Sequence, residues 1–326
     1  ASDVYKRQLQ GLRDDPQSRV GILTPGPLND TYFEHAYIAR YLGFMLLESE
    51  DLVVDDGRVM VRTINGLRPI DVIWRRLDSN YADPLELNAE SQLGTPGLMG
   101  AMRRGSATMV NALGSGVLET RALMAFMPKI SEALTGEPLA IPNIATWWCG
   151  QESERAHVSE NIERMMIGPA LSTRLPFDYD ETTVLGGQFR GAARDSFESW
   201  LRREGATLVG QEAVTLSTTP VYDEGSLVAR PMCLRVFLAR TNDGWRAMPG
   251  GLARVGQSMD PTAIAMQRGG GAADVWIASQ RPVPPVTLLP KQEAPYVRAQ
   301  YATLPSRSAE NLFWMGRYVE RAEGMV

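Results

Sequence analysis

A chain of 326 residues is long enough for two domains, or for one large α/β unit with an appendage, and its 44% hydrophobic, 22% charged composition is that of an ordinary globular protein. A net charge of −5 and an isoelectric point near 5.3 leave no basic stripe to neutralise a phosphate backbone, so no nucleic-acid partner is expected. No apolar run approaches the roughly 18 residues of a membrane span and none follows a basic start as in a signal peptide, so no membrane partner is expected either and the cytoplasm is the default location.

Val20 to Leu23 reads as a strand broken by Thr24-Pro25-Gly26-Pro27. Thr31 with Glu34 three residues on forms a capping box for a helix from Tyr32 to Leu42, which Gly43 stops. Phe44 to Glu48 is the next strand. Leu52-Val53-Val54 pairs with Val59-Met60-Val61 across a hairpin turn at Asp55-Asp56-Gly57, and Ile70 to Arg76 is a buried strand. Ala107 to Asn111 forms a further strand, followed by a single helix from about Glu119 to Leu134 that Gly136 stops. This alternation is an α/β signature.

After Trp147-Trp148-Cys149-Gly150 the pattern changes to antiparallel-rich α+β. A helix near Val158–Glu163, a strand Arg164–Ile167, a helix Ala192–Arg203 and a strand Thr207–Glu212 lead to long β segments at Ser226–Arg240 and Trp245–Met248, joined by a turn at Asn242-Asp243-Gly244. Prolines 282, 284, 285, 290 and 295 stiffen a linker, and an amphipathic helix begins at Ser306 with Leu312, Phe313, Met315, Tyr318 and Val319 on it. The opening Asp3-Val4-Tyr5-Lys6-Arg7-Gln8 resembles translated sequencing-adapter DNA, and the chain ends inside a helical pattern, so a piece of a longer protein is expected.

Few residues invite metal or redox chemistry by spacing alone. Cys149 and Cys233 lie far apart without ligand spacing and read as buried thiols, while His35 and His157 are isolated and read as helix-cap or surface residues. All but three of the 33 basic residues are arginines, the lysines being Lys6, Lys129 and Lys291.

Four ordered segments together resemble the type 2 circularly permuted ATP-grasp proteins. They are Leu23 to His35, Arg75-Arg76-Leu77-Asp78 through Asp83 to Leu87, Asn111 to Glu119, and Met248 to Arg254 through Gln267 to Gly271. Leu304 to Glu323 resembles the opening of an alpha-E helical domain. The resemblance implies a circularly permuted ATP-grasp fold, α/β and α+β in class, with a truncated C-terminal helical segment. Its domains are expected at 20–150 (the α/β part) and 151–281 (the antiparallel ATP-grasp part), with 1–19 non-native or linker, 282–303 a proline-rich linker and 304–326 the start of the alpha-E domain. It further implies ATP and Mg²⁺ as cofactors, an amino-acid or peptide substrate, and the alpha-E domain of the same chain as partner. The implied reaction activates a carboxylate as an acylphosphate that an amine attacks; a degenerate module that binds nucleotide or serves as a scaffold is the alternative.

The resemblance and the residues together nominate the site. Asp78, Asn111 and Glu119 are candidate Mg²⁺ ligands because hard oxygens gather at strand ends and helix entries, although Glu119 also suits the first turn of a helix. Gln211 and Glu212 resemble the hinge that meets adenine and ribose, or are a polar pair at a sheet edge. Arg235 sits in the apolar run Cys233 to Phe237 and must face a cleft or a carboxylate. Arg235, Arg254 and Arg268 are the candidate catalytic cations. Gly269, Gly270 and Gly271 permit close approach to an anion or form a plain turn, and Arg164 is placed to reach the phosphates from the strand after it. Arg75 and Arg76 resemble a substrate-facing pair, of which alternation lets only one enter the site from a given face. The family pattern carries a lysine in a hydrophobic-Lys-Pro run and another before Asp274; here Gly168 and Ala273 stand in those places. Either the arginines have taken over the phosphates, or catalysis is lost.

Overall fold

The apolar tetrad Val20-Gly21-Ile22-Leu23 becomes the first strand of a parallel sheet that is covered on both faces, which is why its apolar residues run on without alternating. The computed structural model describes residues 18–173, 184–185, 192–241, 244–258, 270–282 and 304–325. Its contacts sort the chain into two units, residues 1–115 with 284–326 and residues 116–283.

In the first unit, β1 (Val20–Leu23) leads through helix α1 (Tyr32–Leu42) to β2 (Met45–Leu47), then to the hairpin strands β3 (Leu52–Asp55), β4 (Arg58–Thr63) and β5 (Gly66–Pro69). β6 (Val72–Arg75), helix α2 (Leu98–Arg103) and β7 (Thr108–Val110) follow. The parallel sheet has the order β2-β1-β6-β7. Val20, Ile22 and Val72 pack with Ala39, Leu42 and Phe44 on one face. Leu23, Leu47 and Ile73 pack on the other with Leu52, Val59, Val61 and Leu98.

The β3–β4 register pairs Leu52 with Val61 and Val54 with Val59 as expected, and the turn holds Asp56 at φ 44° and Gly57 at φ 72°, the two positive angles of a tight hairpin. Helix α1 ends on Gly43 at φ 72°, whose N–H reaches the Ala39 carbonyl. Its start differs from the expectation. Thr31 makes no side-chain cap bond: its backbone, at φ −98° and ψ 9°, is not in the extended conformation of an N-cap, and its hydroxyl donates to Asn29 Oδ1 at 2.6 Å. Arg19, just before β1, grips Asp71 with its Nε at 2.8 Å and a terminal nitrogen at 3.0 Å.

The C-terminal helix (Ser306–Glu323) belongs to this unit. Pro305 bridges to Thr63, and Ile64 N–H donates to Leu304 O at 3.3 Å. Arg307 Nη2 lies 2.8 Å from Asp51 Oδ2 and its Nη1 3.0 Å from Glu48 Oε1, the second contact being an ion pair without hydrogen-bond alignment. Beyond that anchor Leu312, Phe313, Met315, Tyr318 and Val319 are exposed.

The second unit opens with helices α3 (Arg121–Met124) and α4 (Met127–Thr135). The single helix expected from Glu119 to Leu134 is broken between them. Pro128 has no N–H to give Met124 O and its ring would collide there, so the chain restarts with Pro128 in a new first turn while Asn143 Nδ2 takes Met124 O at 2.8 Å. Next come β8 (Thr146–Trp148), α5 (Glu152–Glu160), β9 (Met165–Pro169), β10 (Val184–Leu185), α6 (Ala192–Glu204) and β11 (Leu208–Glu212). They form the antiparallel sheet β10-β9-β11-β8, one face of which packs Met165, Ile167 and Leu208 against Val158, Phe197 and Leu201.

The remaining strands are β12 (Thr218–Asp223), β13 (Ser226–Arg235), β14 (Leu238–Thr241), β15 (Gly244–Ala247), β16 (Gly251–Val255) and β17 (Gly271–Val275). The continuous segment expected over Ser226–Arg240 divides at Val236-Phe237, because the partner changes. β13 pairs with β16, whereas among the described residues β14 pairs with β15 alone. No helix among the described residues is long and apolar enough to cross a membrane.

Candidate functional site

In the parallel sheet the chain passes from β1 to β2 on one side and then to β6 on the other. The carboxyl ends of β1 and β6 therefore flank the switch point, the place where open α/β sheets bind ligands. The loop after Leu23, the pair Arg75-Arg76, Asp78 and Asn111 all gather at this edge because each follows a parallel strand.

Arg75 and Arg76 have different fates. Arg75 Nε donates to Asn111 O at 2.7 Å and Nη1 donates to Leu77 O, so its guanidinium is spent on backbone. Arg76 is exposed and donates through Nε to His35 Nε2 at 3.1 Å. His35, read as a cap or surface residue, is 1% exposed: its Nδ1 lies 2.9 Å from Thr24 Oγ1. Helix periodicity turns position 35 inward, where Thr24 and Arg76 engage its two ring nitrogens. Burial, then the neighbouring Arg76 charge, holds the imidazole below its ordinary value, against a smaller pull from Glu34.

Asp78 caps a short turn, one carboxylate oxygen accepting Asn80 N–H at 3.1 Å. Asn111, at φ 58°, donates Nδ2 to Arg75 O at 3.1 Å, and among the described residues its Oδ1 accepts no hydrogen bond. These are oxygen donors of the kind Mg²⁺ takes. Glu119 is exposed and belongs to the second unit. Among the described residues no three His, Cys, Asp or Glu side chains are grouped to hold a metal. Asp83, within the same motif as Asp78, is fully buried and accepts N–H groups from Leu85, Gly97 and Met99 at 2.9, 3.2 and 2.9 Å, so it builds the loop and the start of α2.

In the second unit, Gly168 pairs with Val209 on the sheet face opposite the buried Ile167. Gln211 lies on Gly168's face, 2% exposed, and gives Nε2 to Thr146 Oγ1 at 3.1 Å, while Glu212 is exposed. Arg164 stands before β9 in a tight turn with Nη2 on Asn161 Oδ1 at 2.9 Å, so strand alternation with Gly168 does not extend to it. Arg121 went unread in the sequence. It is 3% exposed at the head of α3, and its N–H donates to Ser172 O at 3.1 Å, beside the segment that continues Gly168's strand. The available signal was a cation leading directly into the apolar run Ala122 to Met127.

Register places Arg235 opposite Leu252, which lies opposite Asp274; two rows along, Cys233, Arg254 and Ala272 align. Arg235, Arg254 and Asp274 thus share one face. Among the described residues, the buried Nε of Arg254 has no hydrogen-bond partner, the state of a donor awaiting an acceptor. Cys233, expected to be buried, is exposed on this face, whereas burial pushes the Cys149 thiol up to about 11 and keeps it inert. The opposite face carries the Arg230–Asp223 ion pair at 2.7 Å and a cleft of about 540 Å³ lined by Val221, Val255 and Ala273. Gly270 and Gly271 lead into β17; Arg268 and Gly269 lie outside the described residues.

A family model described as circularly permuted ATP-grasp type 2 matches residues 3–256, and one described as a predicted alpha-helical domain with a conserved ER motif matches residues 304–326. An uncharacterized protein of Mycobacterium tuberculosis is 36% identical over 94% of this chain and 34% of its own length. A second from that organism is 32% identical over 86% of this chain and 51% of its own, and one from Synechocystis is 32% identical over 79% and 53%. The chain thus spans about a third to a half of the length of these relatives. The solved structure of a putative gamma-glutamylcysteine synthetase from Methylobacillus flagellatus KT aligns with a TM-score of 0.35 and 12% identity over 78% of this chain and 67% of that one. On the family match, which covers most of its length, the chain belongs to the circularly permuted ATP-grasp type 2 family and runs into the opening of an Alpha-E domain.

Proposed function

We propose that the chain carries an ATP-grasp site that joins a carboxylate to an amine, with an amino acid or peptide as substrate. The observation that carries this reading is the buried Nε of Arg254, without a hydrogen-bond partner among the described residues, on a face shared with Arg235 and Asp274. A guanidinium left without an acceptor there suits the oxygens of a phosphate or acylphosphate. In the proposed reaction a substrate carboxylate oxygen attacks the terminal phosphorus of ATP and ADP leaves. An amine then attacks the acyl carbon of the acylphosphate, phosphate departs, and the amine's proton passes to solvent. Arg235, Arg254 and Arg268 would neutralise the transferring group, with Gly269 to Gly271 close behind it. Gln211 and Glu212 would meet the nucleoside, Arg164 the phosphates, and Arg76 the substrate. Bound Mg²⁺ would offset phosphate charge, the candidate oxygen donors being Asp78 and Asn111 in the first unit and Glu119 in the second, each taken by itself.

Gly168 and Ala273 favour a second reading, a module that binds nucleotide or acts as a scaffold without turnover. Mg-ATP incubated with candidate amino acids and hydroxylamine separates the two. Hydroxamate and ADP support the ligase, whereas nucleotide binding with neither product supports the second reading. Gly168→Lys refines the result: turnover gained by that variant means that the lysine's role was lost and not taken over by arginine.

A further inference from the structure

His35 lies deep enough that an apolar residue would serve packing equally well, yet both ring nitrogens are engaged by polar atoms. The partners fix its tautomer. An arginine Nε–H can only donate, so Nε2, 3.1 Å from Arg76 Nε, is the unprotonated nitrogen. Nδ1 then carries the hydrogen and donates to Thr24 Oγ1 at 2.9 Å, at the end of β1. Thr31 Oγ1 also sits 3.1 Å from Nε2, but its own hydrogen goes to Asn29 Oδ1, so it offers only a lone pair. Arg76 is held by one nitrogen, and among the described residues its two terminal nitrogens have no hydrogen-bond partner.

We propose that His35 is a positioning residue: as the neutral Nδ1–H tautomer it holds Arg76 by Nε and aims the guanidinium's terminal nitrogens outward to grip an oxyanion at the carboxyl edge of the parallel sheet. This deepens the substrate role given to Arg76 above and rests on that reading for the anion's place in the reaction. The arrangement is also a switch. A proton added at Nε2 abolishes the acceptor that Arg76 uses and sets two cations against each other, while Thr31 Oγ1 stands ready to accept the new N–H. Arg76 is then released. Of the charged groups facing the ring, Arg76 opposes that proton and Glu34, on the same helix, favours it; Thr24 and Thr31 are neutral. Burial opposes the proton most, so capture persists to a pH below the ordinary histidine value.

NMR tests this without any ATP chemistry, so failure of the ligase reading leaves the result standing. Long-range ¹H–¹⁵N spectra at neutral pH should show His35 Nε2 unprotonated and Nδ1 protonated. The Arg76 Nε–H signal should then be followed while sulfate, which stays a dianion across the range, is titrated into wild type, His35→Gln and His35→Phe. Sulfate affinity is expected to fall about tenfold in His35→Phe, which lacks the acceptor, and to stay within about threefold in His35→Gln, which retains one. On acidification below pH 6.5 the wild type should lose affinity and His35→Gln should not. A parallel acetate titration distinguishes a phosphate-like from a carboxylate ligand by which binds more tightly. A protonated Nε2, no response of Arg76 to either anion, or equal affinity in a folded His35→Phe overturns the proposal. Should His35→Phe not fold, identical pH dependence in wild type and His35→Gln overturns it.

Discussion

Asp83 and His35 are buried polar residues of two kinds, one structural and one facing the candidate site. Asp83 satisfies three backbone N–H groups, and Asp83→Ala would strand them away from water. The expected loss is about 3 kcal/mol of unfolding free energy by urea titration, and a loss under about 0.5 kcal/mol would show that the loop rebuilds itself. His35 adds a pH dependence to stability. Its value in the fold is lowered, so the unfolded chain binds more protons between that value and 6.5. The stability tied to neutral His35 is fully present above pH 6.5 and is lost as pH falls through the lowered value. Wild type should therefore lose stability relative to His35→Gln on acidification, measured by unfolding at pH 7.5 and at pH 5; parallel curves contradict the assignment.

At the scale of elements, Arg307 is the anchor of the C-terminal helix. Its ion pairs with Asp51, 1% exposed, and with Glu48 tie the helix to the turn after β2. Burial raises the Glu48 carboxyl above its ordinary value despite Arg307, with Asp51 and Glu50 adding to the effect. Arg307→Ala leaves the Asp51 carboxylate buried without its countercharge and should destabilise the first unit by about 3 kcal/mol. Hydrogen exchange should quicken along Ser306–Glu323 at the same time; unchanged exchange would mean that the helix is held by other contacts. Helix α1, the β3–β4 hairpin and the C-terminal helix were legible in the sequence because each carries its own signal, a glycine stop, an Asp-Gly turn or an amphipathic repeat. The break between α3 and α4, the division at Val236-Phe237 and the strand β16 were not. Those depend on which segment a strand pairs with, or on a carbonyl taken by the distant Asn143, and local periodicity does not record such partners. The site followed the same rule. Alternation foretold that Arg75 and Arg76 would part company, but not that a buried histidine would hold the one left exposed.

At the scale of the molecule, two units with separate cores carry different parts of the proposed chemistry: an oxyanion grip beside β1 and β6 in one, and the arginine-bearing face of β13 and β16 in the other. The retained arginines and the missing lysines pull in opposite directions, and nucleotide affinity is where they meet. The most direct measurement is calorimetric titration of Mg-ATP into the intact chain and into Arg254→Met, a variant that keeps an unbranched apolar stem and removes the donors. Saturable one-to-one binding in the micromolar to millimolar range is expected, weakened about tenfold in Arg254→Met. No binding by the intact chain, or equal affinity in a folded Arg254→Met, would contradict an ATP site built on that guanidinium.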